Sequence, residues 1–186
     1  MTGLKRIIAT VACLVVVAPL SADSRCGTTR SEPTEPDLAI ILKGYKAWTR
    51  VNSMPFRVSP AVAALCAAPT ARNVSPHLTP DSYIDVYVNP AGRKAMFTPA
   101  PLSFPEGTII VKEKRKDGSE TDPELLTVML KRSKGYNAET GDWDFAVLDG
   151  KAAAVQAQGK LENCIQCHKT VAASDYVFRP YVSKHR

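Results

Sequence analysis

Tyr83-Ile84-Asp85-Val86-Tyr87-Val88-Asn89-Pro90 is the stretch on which the fold turns. Ile84, Val86 and Val88 recur at every second position, the period of a half-buried strand. Pro90 lacks the N–H that a ladder needs, so the strand ends at Asn89-Pro90. Downstream, Thr108 to Lys114, Leu125 to Lys131 and Trp143 to Leu148 also read as strands. Pro99, Pro101 and Pro105 forbid regular structure before Gly107, and turn residues at Gly135-Tyr136-Asn137 and Glu139-Thr140-Gly141 lead into the last run. Short strands joined by turn chemistry favour an antiparallel sheet over alternating strand–helix units.

Working upstream, Leu38, Ile41, Leu42, Tyr45 and Trp48 recur at helical spacing, and Asp37 is a good N-cap. The pattern predicts a helix from Asp37 to about Val51. A second short helix is expected from Ser59-Pro60 to Cys66, with an irregular stretch over Pro69 to Pro80. Pro90 to Met96 has room for one or two helical turns, and Gly159 to about Ala172 reads as helix. The fold class is therefore α+β: N-terminal helices, an antiparallel sheet of four or five strands, and a C-terminal helix.

The first residues read as an export signal. Lys5 and Arg6 precede an apolar run from Ile7 to Leu20, and the small residues Ser21 and Ala22 follow. The run is short for a membrane span, so cleavage after Ala22 and no lasting membrane anchor are expected. The Thr10-Val11-Ala12 stretch before Cys13 and the Asp23-Ser24-Arg25 stretch before Cys26 do not suit lipid attachment. Residues 23–36, rich in Ser, Thr, Pro and charge, read as an arm, and 37–186 as a single domain. About 164 residues remain after cleavage, enough for one domain with a core. The formal net charge of +6 falls to +4 with Lys5 and Arg6 gone. No basic patch with interleaved aromatics is present, so nucleic acid is not an expected partner.

Near the C-terminus stands Cys164-Ile165-Gln166-Cys167-His168. Cys-x-x-Cys-His is the attachment signature of a c-type haem. Two thiols three residues apart reach two vinyl groups of one porphyrin, and the next residue, His168, becomes the proximal iron ligand. A thioredoxin-like pair or half of a zinc site also uses Cys-x-x-Cys. A redox pair has no need of His168, and Cys26, Cys66, His77 and His185 form no second zinc-ligand pair. One covalently attached haem is the reading preferred. It agrees with export, since haem c is attached outside the bacterial cytoplasmic membrane, and the expected location is the periplasm. Cys26 and Cys66 are left over in an oxidising compartment, where a disulfide between them is expected.

Eighteen residues follow His168, and none is methionine. A sixth iron ligand would have to come from Met54, Met96, Met129, His77 or His185. Met129 sits between Val128 and Leu130 and reads as core, and His77 between Pro76 and Leu78 reads as loop. An open distal side is favoured, which suits ligand binding or chemistry rather than electron transfer alone. Tyr176, Phe178 and Tyr181 are expected to pack on the porphyrin, and Trp143 in the core.

The order of motifs from Leu78 to Tyr181 resembles the cytochrome P-460 family, whose relatives include the cytochromes c'-beta. It is carried by Val86-Tyr87-Val88-Asn89-Pro90, Phe104-Pro105-Glu106-Gly107-Thr108, Val111-Lys112-Glu113, Gly135-Tyr136-Asn137, Gly141-Asp142-Trp143, Gly159-Lys160-Leu161-Glu162 and Asp175-Tyr176-Val177-Phe178. The resemblance implies an antiparallel α+β fold, a homodimer, and a five-coordinate haem c. It also implies one of two activities. In the P-460 enzymes a lysine is bonded to the porphyrin and the iron oxidises hydroxylamine; in the c'-beta relatives that bond is absent and an apolar pocket binds nitric oxide. Lys112 matches the lysine. By alternation alone it shares a face with Ile110 and Lys114, either a pocket or a solvated edge. The hydroxylamine oxidisers place a carboxylate over the distal face from the following strand. Here that strand holds Thr127 and Met129 and no acid, with Glu124 just before it. Three readings stay open: a hydroxylamine-oxidising enzyme, a nitric-oxide binder, and an electron carrier with a periplasmic redox partner.

Overall fold

A computed structural model describes residues 37–59, 82–99, 103–116 and 122–182. The signal, the arm, the helix expected after Pro60 and the Cys26–Cys66 pairing lie outside these residues, as do His77 and His185.

The described strands are β1 (Thr49–Arg50), β2 (Phe56–Val58), β3 (Ser82–Val88), β4 (Ile109–Arg115), β5 (Leu125–Lys131), β6 (Trp143–Asp149) and β7 (Val155–Gly159). They form one antiparallel sheet in the order β1-β3-β4-β5-β6-β7, with β2 also on β3. The four long strands are those expected from the sequence. The sheet is wider than the four or five strands expected, because three short strands complete it. β7 reads Val-Gln-Ala-Gln-Gly and is mostly exposed, so it carries almost no apolar alternation. β1 and β2 are too short to show a period.

The N-terminal helix is also shorter than expected. α1 spans Leu38–Leu42, with the Asp37 carboxylate accepting the Ala39 N–H at 2.9 Å, and a 3₁₀ turn follows at Tyr45–Ala47. Trp48 is already extended, and Thr49 and Arg50 pair with Val88 and Tyr87. Strand pairing overrides helical propensity there. Asn52 then imitates a strand: its amide donates to the Ile84 carbonyl at 3.0 Å and its Oδ1 accepts from the Val86 N–H at 2.8 Å.

α2 (Pro90–Phe97) begins at Asn89, whose Oδ1 accepts from Gly92 and from Ile109, at 3.2 and 3.0 Å. One side chain thus caps the helix and fixes the entry to β4. Gly92 is obligatory, since a Cβ there would lie 2.3 Å from Thr108 Cγ2. α3 (Glu162–His168) is followed by 3₁₀ turns over Lys169–Ser174, kinked at Val171. Gly159, expected to open this helix, instead ends β7 with φ +122°.

Register assigns the two faces. On one, α1 and Tyr45 pack on Val111, Leu126, Val128, Ala146 and Leu148. On the other, Ile84, Val86, Val88, Ile110, Met129, Trp143 and Phe145 meet Ile165 of α3, Val177 and Phe104. The second face carries the site.

Candidate functional site

Cys164, Cys167 and His168 occupy positions i, i+3 and i+4 of α3, so they share a face of that helix. Ile165, 3% exposed, anchors the helix in the core. Both cysteines are half-buried thiols. The shared face borders a cavity of about 400 Å³.

His168 is held by three contacts. Its Nδ1 donates to the Tyr176 carbonyl at 2.6 Å, which assigns the proton to Nδ1 and leaves the Nε2 lone pair available. Rings of Phe145 and Phe178 flank the imidazole, each with centroids 5.2 Å away. Burial lowers its pKa to about 4; the bond to Tyr176 opposes this, and the positive charge of Lys112 adds to it. The imidazole is therefore neutral at physiological pH, as an iron ligand must be.

The sheet supplies Ile84, Ile110, Lys112, Thr127, Met129 and Phe145 to the cavity wall. Phe56 and Val58 of β2 and Phe178, Pro180 and Tyr181 of the C-terminal segment add further apolar surface, with Phe56 and Tyr181 edge to face at 6.0 Å. Lys112 therefore takes the pocket side of the two placements that alternation allowed. Its register partners are Val86 on β3 and Thr127 on β5.

The residue after Lys112 shows why. Glu113 is fully buried on the other face, where its carboxylate accepts from the Tyr45 hydroxyl at 2.6 Å and from Arg115. Arg115 also approaches Asp85 at 3.2 Å, and Arg50 pairs with Asp85. This network fixes Glu113 on the α1 side, so the pleat turns Lys112 toward the cavity.

Among the described residues, no aspartate or glutamate lines the cavity. Glu124 is exposed and lies outside its wall. Of the described candidates for a sixth ligand, Met54 is 74% exposed, Met96 is buried without reaching the cavity, and Met129 lines it. Trp143 is core, as expected, and its indole N–H donates to the Asp175 carbonyl at 2.8 Å. Phe178 and Tyr181 border the cavity, whereas Tyr176 contributes its backbone carbonyl. Sequence reasoning did not find Phe56, Val58 or that carbonyl. β2 carries no motif, and a backbone acceptor has no residue type to mark it.

Two thiols and a neutral imidazole beside a large apolar cavity fit a covalently held haem. Among the described residues, no group of three or more His, Cys, Asp or Glu is gathered around a bare metal site. A family model described as Cytochrome P460 matches residues 42–179, most of the chain, including Lys112, Cys164, Cys167 and His168. No curated protein matches the chain.

Proposed function

We propose that this chain, which belongs to the cytochrome P460 family, is an exported mono-haem c cytochrome with an open distal site that binds nitric oxide. Membership of the family carries haem c binding with it. Cys164 and Cys167 would hold the haem through thioethers to its vinyl groups, and His168 Nε2 would ligate the iron. When bound, the haem supplies a redox-active iron with a coordination position for a small ligand.

The observation that carries the choice of ligand is the cavity wall: apolar or neutral over most of its extent, without a carboxylate among the described residues. Oxidising hydroxylamine releases protons, and a positioned base speeds their removal. A neutral diatomic needs no such group. Phe56, Val58, Ile110 and Met129 offer a neutral ligand an apolar site.

Lys112 supports the second reading, hydroxylamine oxidation, because its side chain lines the same cavity. Bonded to the porphyrin, it would match the P-460 enzymes. A homodimer, a periplasmic location and a periplasmic redox partner complete the proposal.

The test is the absorption spectrum of the dithionite-reduced protein, made in a host that attaches haem c, with Lys112→Ala alongside. An ordinary high-spin ferrous spectrum, unchanged in Lys112→Ala, together with ready nitric-oxide binding supports the gas binder. A strongly red-shifted Soret band, lost in Lys112→Ala, would overturn it in favour of hydroxylamine oxidation. A low-spin spectrum in both oxidation states would overturn both and favour the electron carrier.

A further inference from the structure

We infer that Asp175 is the positioning residue for the proximal ligand: it locks the turn that presents the Tyr176 carbonyl to His168. The inference rests on the reading of His168 as the iron ligand and adds to it a control over the strength of that ligand.

Asp175 and Tyr176 are consecutive non-glycine residues with positive φ, +50° and +62°. Such residues are uncommon singly, and a neighbouring pair needs external restraint. Four hydrogen bonds supply that restraint. Both carboxylate oxygens of Asp175 accept from the Lys131 ammonium at 2.8 Å, and Oδ2 also accepts the Phe104 backbone N–H at 2.7 Å. The Asp175 carbonyl accepts from the Trp143 indole at 2.8 Å. Gly141 leaves room for the pair, since a Cβ there would come within 2.8 Å of the Tyr176 ring and 2.9 Å of Asp175 Oδ1. Lys131 and Asp175 are largely buried, so their pairing is poorly screened.

These bonds tie the turn to β5, β6 and the loop before β4. The acceptor it delivers, the Tyr176 carbonyl, meets His168 Nδ1 at 2.6 Å. A short bond to that proton fixes the ring plane and makes the imidazole more electron-rich at Nε2. A more basic ligand favours ferric over ferrous iron. Asp175 thereby tunes the iron without touching it. Asparagine tolerates a positive φ as aspartate does, but its neutral amide loses the ionic pairing with Lys131; alanine loses both.

The experiment is resonance Raman spectroscopy of the haem-loaded, dithionite-reduced protein, with the reduction potential measured on the same samples. Asp175→Asn and Asp175→Ala are compared with the parent. Tyr45→Phe, which removes a buried bond on the other face of the sheet, is the control for lost stability. The iron–histidine stretching band should move to lower frequency in the order parent, Asn, Ala, and the potential should rise in the same order. Tyr45→Phe should leave both unchanged. An unmoved band and potential in the Asp175 variants, with stability lost, would make Asp175 merely structural and overturn the inference. If the alanine variant cannot be loaded, Asp175→Asn decides, and an unmoved band there overturns it. An iron–histidine band that survives in His168→Ala refutes the assignment of His168 instead.

Discussion

Tyr45→Phe tests how the sheet is held so that Lys112 faces the cavity. Tyr45 is 5% exposed, and its hydroxyl donates at 2.6 Å to Glu113, which is fully buried. Burial, reinforced by the hydrogen bond and charge of Glu113, pushes the phenol well above its ordinary range, so it remains a donor at every working pH. Phenylalanine keeps the ring and its edge contact with Tyr87, at 5.4 Å. It removes the hydroxyl and leaves Glu113 Oε1, among the described residues, the exposed Lys46 at 3.9 Å. A hydrogen bond to a buried charge contributes about 1.5–3 kcal/mol, so the expected loss is about 2 kcal/mol. With a urea slope of about 2 kcal/mol/M the midpoint should fall by about 1 M. Tyr87→Phe is the internal comparison. Tyr87 is half-buried, and its hydroxyl enters no hydrogen bond among the described residues. Its removal should cost less than about 0.5 kcal/mol. Urea unfolding of the haem-loaded protein reads both, and the reduced spectrum should not change in either. Equal midpoint losses, or a Tyr45→Phe loss below about 0.25 M, would refute the claim that Tyr45 supports the buried glutamate.

Two further outcomes follow from the proximal side. In a haem-free Cys164→Ser/Cys167→Ser protein, His168 titrates at about 4 when folded, below its ordinary 6.5. The unfolded chain therefore binds the proton first, so the contribution is full above pH 6.5 and lost as pH falls from 6.5 toward 4. At 1.36 kcal/mol per unit the loss is at most about 3 kcal/mol, less whatever partial exposure screens. Subtracting the urea stability of the same protein with His168→Leu isolates it, and a flat difference between pH 7 and 4.5 would count against a buried neutral imidazole. Gly141→Ala places a Cβ against Tyr176 at a φ of +59° and should cost about 2 kcal/mol or more. Gly107→Ala, at φ +80° in open space, should cost only its backbone strain of about 1 kcal/mol. Equal losses in thermal or urea unfolding would argue against crowding at the Asp175-Tyr176 turn.

The four long strands were legible because each is a run of strand-favouring apolar residues bounded by turn chemistry, with period two clear in β3, although β4 and β6 are buried on both faces. Cys164, Cys167 and His168 were legible because a covalent attachment needs fixed residue types at fixed spacing along one helix. The signal expected over residues 1–22 and the Cys26–Cys66 pairing stand as readings of composition. Lys112 was legible only as an alternative between two faces. Alternation places neighbours on opposite sides without saying which side holds the cavity. Glu113 decided it, through the Tyr45 hydroxyl, 68 residues away in the chain, and through Arg115, which itself pairs with Asp85 of β3. The short edge strands and the length of α1 escaped because segments of two or three residues have no period, and pairing with β3 overrode the helical spacing before Thr49. The Tyr176 carbonyl escaped for a different reason: a backbone acceptor has no residue type to mark it. Sequence determined which groups can carry the chemistry, since that depends on residue type and local spacing. Only the tertiary structure decided what surrounds them, because burial, hydrogen-bond acceptors and left-handed turns are set by contacts between distant parts of the chain.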